Sequence, residues 1–293
     1  MLGIHNDLVH HDHIDLYTGI IDLPEGATAG YSVRRISSTY FGPGVRVINS
    51  SNVEQDIKFL QNGNLDTVTM EAHCGGGDGH VTVWYDQTGL GNHLAQTTAG
   101  LRPKIVSSGT TITNPDNGKV ALEFAGDCMK KESITLFPSG TTGLAQCVSV
   151  VKADSGISSR NNLFNIQGTG FAPKLLESYV IPSGADTGWQ IASSSNVGAS
   201  AYIPSDLYDS YVHIVEVFVS NLRAGFNGDT GNQGVGAGST TGAEDIHLGS
   251  DESGSNRFNG FVQEFIMYNV GSTIPEATIE GVSDAMNAYY GVY

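Results

Sequence analysis

The chain has 293 residues, 39% of them hydrophobic and 38 of them glycine; that suits a globular fold with a buried core and not a disordered segment. Its 14 Lys+Arg against 30 Asp+Glu give a formal net charge of −16, a surface that repels phosphate backbones and weighs against nucleic-acid binding. No run approaches the roughly 18 apolar residues of a membrane span, and the N-terminus has neither the basic nor the apolar region of a secretory signal peptide.

Residues 1–28 read as an N-terminal arm, and residues 29–293 as a single domain without internal repeat or linker. The arm carries His5, His10, His11 and His13 among Asp7, Asp12 and Asp15. These side chains either ligate a metal or form a solvated arm or subunit contact; no regular ligand spacing selects the metal. The three cysteines, Cys74, Cys128 and Cys147, match no zinc or redox motif and read as small core residues, with a Cys128–Cys147 bridge as the alternative.

Residues 29–51, "AGYSVRRISSTYFGPGVRVINSS", alternate on both sides of a Gly-Pro-Gly turn, with Val33, Val45 and Val47 suited to strand interiors. Arg34, Arg35 and Arg46 are expected to pair with acids such as Glu54 and Asp56. "GNLDTVTMEAHCGGG" predicts a short helix capped by Asp66 and ended by Gly75–Gly77, with Val68 and Ala72 inward and Met70 as a further candidate. In "VWYDQTGLGNHLAQ", Trp84 and Tyr85 end a strand while Asp86 and Gln87 bond the glycine turn. The block is either a structural corner or a place where an exposed ring stacks on a sugar.

Beyond it the pattern is almost entirely β. Strands are expected over 80–86, 119–126, 145–153, 161–168, 188–194, 211–219, 222–229, 245–251 and 258–269, at the spacing of a sandwich. A C-terminal helix follows from Pro275, with Ile279, Val282, Met286 and Tyr289 on one face.

The stretch "HIVEVFVSNLRAGFNGD … HLGSD … FNGFVQEFIMYN" resembles a concanavalin A-like (laminin G-like) jelly roll. Asn227-Gly228 supplies the hairpin, and Gly260 a bend or close approach. Phe261, Phe265 and Met267 share one side of the last strand, with Val262, Glu264 and Ile266 on the other. Together with "YSVRRISSTYFGPGVRV" and "WYDQTGLGNHLAQ", the chain is similar to the catalytic domain of fungal α-L-arabinofuranosidase B. It resembles phage tail and virion proteins with a related pattern more closely still.

The arabinofuranosidase resemblance implies an all-β jelly roll with two carboxylates. Asp251 in "LGSDESGSNRFNG" matches the acid/base in position, or closes its own turn. The nucleophile's counterpart is expected in "GWQIASSSNVG", where Ser194 or Ser195 stands in place of a Glu and only Asn196 echoes the family's amides. Asn161-Asn162 stands where the family has a vicinal cysteine pair beneath the sugar. Glu177 and Asp186 are the nearest other acids, without the expected neighbours.

One carboxylate without a partner does not support double displacement. The expectation is therefore a non-catalytic virion module, of phage fibre, tail or capsid surface. It would be a homo-oligomer, contacting other virion subunits through its arm and binding host-surface glycan through Trp84, Tyr85, Trp189, Asn196 and Asp251. Its expected location is the virion or an extracellular surface, and no cofactor is expected unless Glu252 and Asp245 hold Ca²⁺. The alternative is a retaining glycoside hydrolase of arabinofuranosidase type, in which Asp251 is catalytic.

Overall fold

The computed structural model describes residues 19–22, 27–134, 144–168, 176–181, 188–193, 196–201, 208–217, 221–227, 229–235, 244–251, 253–270 and 276–293. The histidine-rich segment holding His5, His10, His11 and His13 lies outside them, as do Asp186, Ser194, Ser195, Gly228, Glu252 and Pro275.

Paired strands run antiparallel throughout the described residues, in two facing layers. One layer runs in the order Ala27–Ser32, Asn259–Val270, Leu144–Ala153, Ser210–Val217, Asn221–Phe226, Asp229–Val235. The other runs Asn196–Ala201, Gly188–Ser193, Leu176–Ile181, Asn161–Gly168, Glu244–Leu248, Met129–Ile134. It continues through Leu94–Ala95 and Gly79–Trp84 to Pro43–Asn49 and Glu54–Lys58. Aromatic side chains meet between the layers: Phe164 lies 5.1 Å from Phe265, and Trp189 lies 5.1 Å from His213, ring centroid to ring centroid. The fold is a large β-sandwich of jelly-roll type with a C-terminal helix, as the all-β pattern predicts. Each large apolar side chain in this core contributes roughly 1.5–3 kcal/mol by leaving water.

Several local expectations hold because single residues dictate the backbone. Asp66 caps the helix Thr67–Cys74, accepting from the Thr69 amide at 3.0 Å and its hydroxyl at 2.7 Å. Asn227 has φ 53°, the left-handed conformation that asparagine tolerates. Gly260 has φ 148°, and a Cβ there would lie 2.1 Å from the Lys152 carbonyl oxygen, so no other residue fits.

Other expectations change. Met70 and Cys74, one turn apart, face the core, whereas Val68 is 76% exposed and Ala72 is also exposed on the opposite side. In the strand Asn259–Val270 a bulge inserts Gln263, since Val150 pairs with Glu264 and Val151 with Val262. The alternation therefore breaks there: Val262 is buried and Phe261 only half-buried. The helix Glu276–Tyr290 buries Val282, Met286 and Tyr290, with Tyr289 at the edge of that face. Ile20 and Ile21, within the expected arm, pack into the core, and the first strand begins at Ala27. All three cysteines are free, so no Cys128–Cys147 bridge forms.

The "WYDQTGLGNH" block is a clamp on the strand Ala27–Ser32. Asp86 is fully buried. It accepts from the amides of Gly30, Thr88 and Asn92, each at 3.0 Å, and from the Thr88 hydroxyl. Gln87 bridges from the Ile36 amide (2.8 Å) to the Arg34 carbonyl (2.9 Å). Every group facing Asp86 is a donor, so an amide side chain there turns one donor against another. Asp86→Asn is expected to lower stability by about 2 kcal/mol in urea unfolding; an unchanged midpoint would remove the clamp.

Candidate active site

The residue run 249–259 and the strand Leu176–Ile181 both meet the start of the strand Asn161–Gly168. The residue run 249–259 is laced to it by the Gly249 amide on the Leu163 carbonyl (2.7 Å) and the Asn162 amide on the Asn256 carbonyl (2.7 Å). Asn161 Oδ1 accepts from the Asn259 amide at 3.0 Å and from its side chain at 3.1 Å. Gly249 has φ 84° and sits so close to the Asp127 carbonyl oxygen that a Cβ would lie 2.6 Å from it. The turn that carries Asp251 is thereby fixed against the sandwich on both sides.

Within that turn Asp251 is 7% exposed. It accepts from the Ser253 amide (3.0 Å) and hydroxyl (2.7 Å), the Ser255 amide (2.8 Å) and Asn256 Nδ2 (2.8 Å). Burial alone would raise its pKa, but these donors together overcome burial and hold the carboxyl below the ordinary aspartate value.

The second carboxylate is Glu177, on the strand Leu176–Ile181 that pairs with Asn161–Gly168. Glu177 is 2% exposed. Its Oε2 accepts from Asn162 Nδ2 (3.1 Å) and Asn165 Nδ2 (3.3 Å), and its Oε1 lies 2.6 Å from Arg160 Nη2 in an ion pair. Asn162 is the hinge of the arrangement. Its backbone amide reaches Asn256, whose side chain holds Asp251, and its own side chain holds Glu177. Two residues, joined by hydrogen bonds at every step, thus connect the carboxylates.

The residues expected to bind glycan are dispersed. Trp84 and Trp189 are fully buried and turn no ring face to solvent, so neither stacks on a sugar as placed. Tyr85 is half-buried. It donates to Asp56 at 2.8 Å and packs edge-on against His93, and its hydroxyl pKa is pushed up to about 12, chiefly by burial and the Asp56 bond. Asn196 opens the strand Asn196–Ala201, and its side chain lies outside the described ones. Asp245 accepts from the Ser133 amide at 2.7 Å, and no metal-binding cluster of His, Cys, Asp and Glu occurs among the described residues.

The strand Leu176–Ile181 and its glutamate were missing from the strands predicted above. Its signal is the run "ESYVIP", β-forming residues stopped by Pro182. Glu177, Asn162 and Arg160 enter the site through this pairing. Ser194 and Ser195, where the nucleophile's counterpart was expected, lie outside the described residues.

A family model of the catalytic domain of α-L-arabinofuranosidase B matches residues 15–141. That segment ends before Arg160, Glu177 and Asp251. No characterised protein sequence matches the chain. Among solved structures, an arabinofuranosidase complexed with arabinofuranosyl-α-1,2-xylobiose matches with TM-score 0.70 at 17% identity, over 92% of this chain and 64% of that one. A GH54 α-L-arabinofuranosidase soaked with a cyclic sulfate inhibitor matches with TM-score 0.69 at 19% identity and the same coverages. A Glu→Gln variant of a GH54 α-L-arabinofuranosidase, soaked with 4-nitrophenyl α-L-arabinofuranoside, matches with TM-score 0.67 at 18% identity. The chain spans about two thirds of those structures, 64% of their length. At this identity the likeness establishes the shared fold. Together with the family model it overturns the expectation of a non-catalytic phage or virion module and favours the glycosidase alternative.

Proposed function

We propose that the chain is a retaining glycoside hydrolase of arabinofuranosidase type, with Glu177 as nucleophile and Asp251 as acid/base. The observation that carries this reading is the hydrogen-bonded connection from Glu177 through Asn162 and Asn256 to Asp251. The sandwich fold shared with arabinofuranosidases and the family-model match over residues 15–141 support it.

In the first step a Glu177 carboxylate oxygen attacks the anomeric carbon while Asp251 gives its proton to the departing glycosidic oxygen. In the second, Asp251 takes a proton from water, which attacks the same carbon and releases Glu177, so the anomeric configuration is retained. Asn162 and Asn165, bonded to Glu177 Oε2, hold the attacking group in one orientation.

The test is hydrolysis of 4-nitrophenyl α-L-arabinofuranoside with the first-formed sugar followed by proton NMR. Release of the α-anomer is expected; no release, or a β-anomer first, refutes the reading.

Asp251 also sets a pH dependence. It must carry a proton to assist departure, yet its turn favours the charged form. The value of kcat/KM on an unactivated arabinoside is therefore expected to fall tenfold per unit as pH rises, with the fall beginning in the acid range. Asp251→Asn is expected to remove that limb and cost about 10²–10⁴-fold in rate. An alkaline limb above neutrality would assign the acid to another group. The sign for stability is opposite. A lowered aspartate pKa contributes stability above its unfolded value, and that contribution is lost as pH falls through the folded one. Activity and folding thus draw on different protonation states of one residue.

A further inference from the structure

Arg160 immediately precedes the strand Asn161–Gly168, and its guanidinium has three defined contacts. Nη2 pairs with Glu177 Oε1 at 2.6 Å, Nε donates to Asn162 Oδ1 at 2.9 Å, and Cζ lies 3.7 Å from the centroid of the Tyr179 ring. Tyr179 follows Glu177 by two positions on one strand, so the ring and the carboxylate leave the same face of the sheet. The guanidinium packs over that ring in a cation–π contact.

That placement fixes two groups at once. By taking Asn162 Oδ1 as its acceptor, Arg160 turns the Asn162 amide so that Nδ2 points at Glu177. Its charge beside Oε1 favours one setting of the last torsion of Glu177, a soft and broad one in an unrestrained glutamate. The Glu177 side chain is 2% exposed and that of Arg160 is 30% exposed, so the pair is largely withdrawn from water. A lysine ammonium, a point charge without a planar fork, cannot reproduce the ion pair, the amide bond and the stacking together.

We infer that Arg160 is a positioning residue, holding the Glu177 carboxylate and the Asn162 amide in the geometry of attack on the sugar. The inference rests on the proposed glycosidase reading. It is tested by steady-state kinetics on 4-nitrophenyl α-L-arabinofuranoside with Arg160→Ala, Arg160→Lys and Tyr179→Leu, beside wild type and Glu177→Gln. Misplacing a reacting group by about an ångström costs on the order of 10²-fold. Arg160→Ala is accordingly expected to lose about 10²-fold in kcat with KM little changed, Arg160→Lys to recover only part, and Tyr179→Leu to lose less than either. Added guanidinium is expected to restore part of the Arg160→Ala rate and none of the Glu177→Gln rate, a rescue that a purely structural role would not give.

An active wild type whose kcat is unchanged or raised in both arginine variants overturns this inference and leaves the glycosidase reading standing. A wild type without turnover overturns the reading itself. Where Arg160→Ala does not fold, Arg160→Lys decides: a lowered kcat at an unchanged melting midpoint supports positioning, and a full kcat refutes it.

Discussion

Glu177→Ala is expected to lower turnover of 4-nitrophenyl α-L-arabinofuranoside at least about 10⁴-fold, the scale of losing a covalent nucleophile. Sodium azide is expected to restore part of the rate. The truncated side chain leaves space on the face from which Glu177 would attack, and Asp251 remains to assist departure. Azide entering there gives a β-L-arabinofuranosyl azide, inverted relative to the substrate. Asp251→Ala makes the opposite prediction. With Glu177 intact the glycosyl ester forms, azide replaces water in the second step, and the product is the α-azide. The two anomers, read by NMR, assign the roles separately. An inverted azide from Asp251→Ala, or undiminished turnover in Glu177→Ala, would exchange or abolish them. Truncating Glu177 also strands a guanidinium and two amides, so Glu177→Gln, which keeps the shape without the charge, serves as the folding control.

The parts of the site differ in how far the sequence discloses them. The turn of Asp251 is legible because a Gly-Ser-Asp turn is a local event: Gly249 must take a positive φ and the aspartate must satisfy its own turn, and both needs are written in adjacent residues. The Asp66 cap and the Gly260 approach are legible for the same reason. Glu177 is not local. The strand Leu176–Ile181 is covered on both faces, so Glu177 and Tyr179 are buried on one side and Leu176 and Val180 on the other. A buried glutamate in that row removes the polar-out alternation by which strands are recognised. Its meaning appears only when Asn161–Gly168 pairs beside it, and the order of strands across a sheet is a property of the whole topology. The same lack of register made Trp84 and Trp189 candidates for sugar stacking when both fill the core.

Glu264→Ala is expected to cost about 3–5 kcal/mol of stability, because it leaves a largely buried cation without its partner. Glu264 is fully buried in the strand Asn259–Val270. It accepts from the Ser32 hydroxyl (2.8 Å), Arg34 Nε (2.9 Å), Arg34 Nη2 (3.3 Å) and the Tyr290 hydroxyl (2.9 Å). These partners come from the first strand, the segment after it and the C-terminal helix, so one carboxylate ties both ends of the described chain to the central strand. Arg34 is further enclosed by Tyr289, its Cζ 4.5 Å from that ring's centroid. The bulge at Gln263 gives the region its geometry, since the inserted residue turns toward Asn114 and Asn117 while Glu264 meets the helix. Urea unfolding checks the magnitude, and a second comparison checks the cause. If the cost is that of an abandoned charge, replacing Arg34 and Glu264 together by methionine is expected to cost less than Glu264→Ala alone, since two apolar side chains of similar volume leave nothing unpaired. The Arg46–Asp56 pair, 37% exposed on each side, provides the contrast. Water and salt screen it, and Asp56→Ala is expected to cost no more than about 1 kcal/mol. Equal losses at the two sites would mean that burial does not govern how these ion pairs hold the fold.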